Sequence, residues 1–116
     1  MHEKSLVQSL LTQVEQLRVQ NDATSVHRVT VEIGPLSGVE PDLVQSAFNE
    51  LAPEQFDAPL VLDIRLIRMQ IRCRSCRHVA AVEGITLKCP ECGSSKVQII
   101  RGDEFRLIDV SMQVPV

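Results

Sequence analysis

The chain has 116 residues, 44% of them hydrophobic and 23% charged, with a formal net charge of -3; that composition excludes a disordered or collagen-like chain. Aromatic residues make up 3%, supplied by Phe48, Phe56 and Phe105 with no Trp or Tyr, so the core must be aliphatic and no stacking platform for bases or sugars is on offer. No signal-like apolar segment follows Met1 and no run approaches the ~20 apolar residues that span a bilayer, which predicts a soluble cytoplasmic protein.

Ser5-Leu6-Val7-Gln8 has the S-x-x-Q form of a capping box, and Leu6, Leu10, Val14 and Leu17 then recur at helical spacing, with Val7 and Leu11 widening the stripe. The spacing predicts a helix over about residues 3 to 20, with Met1, His2 and Glu3 at or beyond its exposed first turn. After Asn21-Asp22-Ala23-Thr24, the stretch from Val26 to Ile33 alternates, placing Val29, Val31 and Ile33 on one face of a half-buried strand. Gly34-Pro35-Leu36-Ser37-Gly38 reads as a turn. Pro41, with Leu43, Val44, Ala47, Phe48 and Leu51 behind it, predicts a second helix ending before Pro53.

From Leu60 the pattern is extended again, with Leu62, Ile64 and Leu66 in phase, but Ile67, Met69 and Ile71 belong to the opposite phase. A strand continuous through this point would exchange its buried face. Near the C-terminus, Phe105 and Leu107 stand in one phase and Ile108, Val110, Met112 and Val114 in the other. The matched slips predict two antiparallel strands that bend together where the main domain meets a cysteine-bearing insert. The expected fold is α+β: two helices packed on a small mixed three-stranded sheet, with an inserted four-cysteine module. Residues 1–68 and 102–116 form the α/β domain in this reading, and residues 69–101 the module.

Cys73, Cys76, Cys89 and Cys92 are all the cysteines of the chain, and they form two C-x-x-C pairs twelve residues apart. Two residues between thiolates let each pair wrap a metal as a knuckle, and four sulfurs meet the tetrahedral preference of Zn(II). Val79-Ala80-Ala81-Val82, a turn at Glu83-Gly84 and Ile85-Thr86-Leu87 would fill the spacer as a hairpin. Two disulfides would be reduced in a cytoplasm, and a redox C-x-x-C needs one motif at a helix start, so structural zinc is the expectation, with no position left for a catalytic water. His78 is a spare donor or simply an exposed residue.

Charge follows the same division. Residues 1–67 carry Lys4, Arg18, Arg28 and Arg65 against ten acids, whereas residues 68–101 carry Arg68, Arg72, Arg74, Arg77, Lys88, Lys96 and Arg101 against Glu83 and Glu91. The module is the basic part of an acidic chain, and its cations favour the thiolate form that a metal requires.

His2 offers a different chelation. The chain amine, the His2 amide nitrogen and the imidazole can lie in one plane around a metal, with Glu3 or its amide completing a square. Displacing an amide proton suits Ni(II) or Cu(II), whereas zinc prefers the tetrahedral sulfur site. A helix N-terminus repels cations, so the negative charge of the amide and of Glu3 is essential to this arrangement. Taken alone, the same residues describe an ordinary helix start.

Met1-His2-Glu3 with Ser5-Leu6, the stretch Val31-Glu32-Ile33-Gly34-Pro35-Leu36-Ser37-Gly38-Val39-Glu40-Pro41, and the paired C-x-x-C motifs together resemble the HypA/HybF family of hydrogenase nickel-incorporation proteins. The resemblance covers nearly the whole chain in order. It implies a nickel metallochaperone with no enzymatic activity. Ni(II) would be held by His2 and Glu3 and zinc by Cys73, Cys76, Cys89 and Cys92, and the nickel would pass to a hydrogenase large subunit with a HypB-type GTPase as partner. Two positions depart from the family pattern: Lys4 stands where an apolar residue is expected, and Arg77 where many relatives have Gly.

Two other functions have less support in the residues. The basic module could bind nucleic acid, but no aromatic residue lies between residues 68 and 101 and the rest of the chain is acidic. Catalysis by His2, His27 or His78 lacks a recognisable nucleophile or acid pair. The choice between hydrogenase and urease as acceptor, a homodimer, and exchange of the insert between chains stay open.

Overall fold

A computed structural model of the chain describes residues 2–115. The elements run α1 (His2–Gln20), β1 (Ser25–Ile33), α2 (Pro41–Gln55), β2 (Val61–Leu66), β3 (Met69–Cys73), β4 (Val79–Val82), β5 (Val97–Arg101) and β6 (Phe105–Gln113). Two compact units emerge, one from Met1–Val31, Val39–Arg65 and Arg106–Val116, the other from Glu32–Gly38 and Leu66–Phe105. Each contains one three-stranded sheet, in the orders β2-β1-β6 and β4-β3-β5. The fold is therefore α+β, as the sequence predicts, with two helices and two small sheets. No helix among the described residues is long and apolar enough to cross a membrane.

In the first unit the 3.6-residue spacing becomes packing. Val7, Leu10, Leu11 and Val14 of α1 are buried, as are Val44, Ala47, Phe48, Leu51 and Ala52 of α2, and the two helices lie against each other. Val26, Val29 and Val31 of β1 are buried in the same unit, together with Thr30 at 2% exposure. Alternation alone would have put Thr30 on the solvent side, but the middle strand of a sheet can be covered on both faces.

α1 ends in a Schellman closure, with Ala23 N–H donating to Arg18 O at 2.9 Å and Asp22 N–H to Val19 O at 3.1 Å. Asp22 takes the left-handed φ of 52° that this closure requires. β6 is tied to the start of β1 by Thr24, whose N–H and hydroxyl both donate to Gln113 O.

Four local expectations change. The Ser5 box lies inside α1 and does not cap it, although His2 and Glu3 occupy the helix's first turn as expected. α2 runs through Pro53 to Gln55, where Phe56 N–H donates to Ala52 O at 2.9 Å. A proline's fixed φ is helical, and in a last turn, beside buried Leu51 and Ala52, its missing N–H forfeits a single bond. The slipping strands β2 and β6 do not pair with each other, because β1 lies between them. The first slip is a break between β2 and β3, whose strands join different sheets. Finally, β4 pairs with β3, with Arg72 opposite Val79 and Met69 opposite Val82, and residues 85–87 form no strand.

The second unit is closed by backbone. Gly34 N–H donates to Glu104 O at 2.8 Å and Leu36 N–H to Gly102 O at 2.7 Å. Arg101 reaches Glu32 at 2.9 Å and Glu104 at 3.0 Å. A Cβ on Gly34 would sit 2.2 Å from Gly102 O, and backbone cannot swing aside as a side chain does. Gly34→Ala should therefore cost at least the ~1–3 kcal/mol of overpacking, read as a lower urea midpoint. A midpoint equal to that of the parent chain would show that the two segments separate freely.

Candidate metal centre

Each knuckle is built alike. Cys73 ends β3 and is buried, as is Cys89, whereas Cys76 and Cys92 stand on the turns and are exposed. In the first turn Arg77 N–H donates to Cys73 O at 2.9 Å, and in the second Gly93 N–H donates to Cys89 O at 2.9 Å. The residue four places after the leading cysteine has a left-handed φ in both, 66° at Arg77 and 73° at Gly93. Arg77 thus occupies the position that Gly93 fills in the other knuckle, which explains physically why glycine is expected there.

The four sulfurs lie within 4.8 Å of one another. Cys73 Sγ is 3.5 Å from Cys92 Sγ, and Cys76 Sγ is 3.5 Å from Cys89 Sγ. A disulfide needs about 2.05 Å, whereas ligands ~2.3 Å from a tetrahedral ion stand about 3.8 Å apart. The spacing suits one four-coordinate cation and no disulfide. N–H groups of Ser75 and Cys76 point at Cys73 Sγ, at 3.3 and 3.4 Å.

Those donors, Cys76 N–H foremost, hold the Cys73 thiol down at about 6. The His78 N–H lowers Cys76, but desolvation and the neighbouring sulfurs outweigh it and push that thiol up to about 12. Cys92 is likewise raised: the Ser94 N–H acts against the shift, and the adjoining Cys73 sulfur and desolvation prevail. Four crowded sulfurs share protons unevenly, and a divalent ion would take the protons' place. His78 is exposed, supplies its carbonyl to Cys73 N–H at 2.8 Å, and stands outside the cluster of donor atoms.

At the other candidate site, His2 is exposed and Glu3 half-buried in the first turn of α1. Glu3 Oε2 accepts the Glu40 N–H at 3.3 Å. The Glu3 carboxyl lies below its usual range because its own N–H, and then that of Glu40, favour the carboxylate. Lys4 Nζ turns to Glu50 Oε1 of α2 at 3.0 Å, so the charge that departs from the family pattern is engaged by an acid. The Met1 amine invoked in the sequence reading lies outside the described residues. Sequence reasoning missed Glu40, although Pro41 behind it signals a helix start and hence an N–H outside the helix. His27 is exposed on β1, with Ser25 Oγ 3.3 Å from its Nε2.

An α+β chain whose second sheet carries four convergent cysteine sulfurs has the build of a small metal-handling protein. A family model described as hydrogenase/urease nickel incorporation, metallochaperone, hypA matches residues 1–112. Hydrogenase maturation factor HypA of Aquifex aeolicus is 40% identical over 114 residues, covering 98% of this chain and 99% of that protein. The corresponding protein of Shewanella oneidensis is 34% identical over 113 residues, covering 97% and 96%. The solution structure of the Ni metallochaperone HypA from Helicobacter pylori superposes with a TM-score of 0.69 at 31% identity, covering 97% of this chain and 98% of that one. A second HypA solution structure gives 0.73 at 32%, covering 99% and 98%. The chain belongs to the HypA family, whose members are nickel-incorporating maturation factors and not enzymes.

Two outcomes are expected at the cysteine cluster. Arg77→Gly should relieve the left-handed strain and stabilise the knuckle by up to about 1 kcal/mol, seen as slower metal loss to a chelator; faster loss would contradict it. Cys89→Ser should release the metal and collapse amide-exchange protection across residues 69–101 while α1 and α2 keep theirs, since structural metal of this kind contributes ~10–16 kcal/mol in small peptides.

Proposed function

We propose that this chain carries Ni(II) at its N-terminus through His2 and Glu3, and that Cys73, Cys76, Cys89 and Cys92 hold a structural zinc. In this reading nickel is cargo, passed to the large subunit of a [NiFe]-hydrogenase with a HypB-type GTPase as partner. The observation that carries the reading is the placement of His2 and Glu3 in the first turn of α1. First-turn N–H groups have no partner inside the helix, so deprotonating the His2 amide breaks no helical bond. The imidazole is exposed, and the neighbouring carboxylate is ionised and restrained through one long bond to Glu40 N–H.

Planar nitrogen-rich coordination suits Ni(II), and the sulfur cluster suits Zn(II), so the two ions sort by geometry. Bound zinc would supply shape by cross-linking the two knuckles, with every sulfur used and no position for a reacting water. An exposed cargo site lets ligands exchange one at a time with an acceptor. The charge objection at a helix start is met by the displaced amide proton and Glu3.

His2→Ala should abolish stoichiometric nickel binding while zinc content and the urea midpoint stay at parent values. Residues added ahead of Met1 should do the same without changing any side chain, because they remove the amine. Nickel content unchanged in both proteins would refute the N-terminal site.

A further inference from the structure

We propose that the open face of the β4-β3-β5 sheet, at its knuckle end, is a docking surface for an acidic polypeptide segment carrying aliphatic side chains among its carboxylates. This is independent of the nickel reading and uses residues of the cysteine-bearing unit alone.

The sheet has two unlike faces. Met69, Ile71 and Cys73 of β3 point inward and are buried with Val82. Arg72 therefore points outward, and the register sets Val79 on one side of it and Gln98 on the other. All three are exposed, as is Ala81 opposite Gln70 one row further on. A register shift opposite Gln70 and Ile71 leaves Ile100 as an extra residue of β5, 39% exposed. At the knuckle end Arg74 stands in the turn that follows β3, and its N–H donates to Lys96 O at 2.8 Å, which fixes Lys96 beside it.

The knuckle end is over-supplied with cations. Arg72, Arg74, Arg77, Lys88 and Lys96 make no side-chain hydrogen bond or ion pair among the described residues, whereas Arg68 is satisfied by Glu83 at 2.7 Å and Arg101 by Glu32 and Glu104. Four thiolates around one divalent ion carry a net -2, so with Glu91 counted a positive surplus still faces solvent. Like charges held this close are unfavourable until a partner's carboxylates arrive between them. Exposed Val79 lies at this end, opposite Arg72, and exposed Ile100 lies further along the sheet, beside Gln70 and Ile71, and a segment of carboxylates spaced by aliphatic side chains satisfies both features. Nucleic acid would find no aromatic side chain in residues 66–104 on which to stack its bases. A membrane surface would meet neither an amphipathic helix nor an aromatic anchor.

The test is a nitrogen-15 titration of the zinc-loaded full chain with a soluble peptide of Glu pairs spaced by Leu, beside the same peptide with Lys for Glu. Amide shifts should concentrate on Arg72, Arg74, Val79, Lys96, Gln98 and Ile100, and should fade as salt rises from ~50 to ~500 mM. Arg72→Glu with Lys96→Glu should weaken binding by about tenfold or more. Four results would overturn the proposal: shifts mapping elsewhere, equal binding of the Lys peptide, affinity unchanged within about twofold by the charge reversal, or tighter binding of single-stranded DNA or phosphatidylserine vesicles at the same salt. Should the double variant lose its zinc, the shift map on the unaltered chain decides. Nickel content measured in the same samples keeps this outcome separate from that of the N-terminal site.

Discussion

The unit that bears the cysteines is held by four sulfurs because it has little else inside it. Its apolar cluster consists of Met69, Ile71 and Val82, with Leu36 and Val97 packed partly against them. Units with so small a core need a metal, disulfides or a partner to stay folded. The sulfur spacing suits one cation and no disulfide, so an ion held by the four sulfurs would act as the missing core. The strand pairing of β3, the left-handed turns and the outward display of arginines all follow from bringing two knuckles within reach of one ion.

The other unit is the opposite case. Its buried aliphatic residues come from α1, β1 and α2, the two helices lie against each other, and a core of this size needs no ion to hold its shape. That freedom suits the N-terminal site of the proposed cargo. A nickel ligand set used as scaffolding could not let go, whereas one appended to the first turn of a helix already stabilised elsewhere can be emptied without unfolding anything. The Lys4–Glu50 pair fits the same logic, since it joins α1 to α2 while taking a positive charge away from His2 and Glu3.

Much of this was legible in the residues. The α1 stripe, the buried alternation of β1 and the paired cysteines each depend on spacing along the chain, and spacing is what a sequence displays. What escaped depends on partners distant in the chain. A turn at Glu83-Gly84 reads as a local hairpin, but β3 competes for β4 and wins by burying Val82 with Met69 and Ile71. The phase slip at Leu66 pointed correctly to the break between β2 and β3, whereas β6 runs unbroken past Leu107, and no pattern within either strand could reveal that β1 separates β2 from β6. Pro53 misled because a proline's cost depends on whether the helix has another turn to lose. Glu40 went unnoticed because its contribution to Glu3 is a backbone N–H, which every residue but proline has.

The glycine pair at 34 and 102 limits how this protein can be rearranged. Because Gly34 and Leu36 are stitched to the 102–104 backbone, the ribbon's floor is woven from a stretch that precedes it by some thirty residues. A shuffled gene that moved the cysteine segment alone into another host would leave that floor behind. Inheritance of the ribbon and of the helical half is thereby yoked, and lineages can alter either by substitution but not by trading parts.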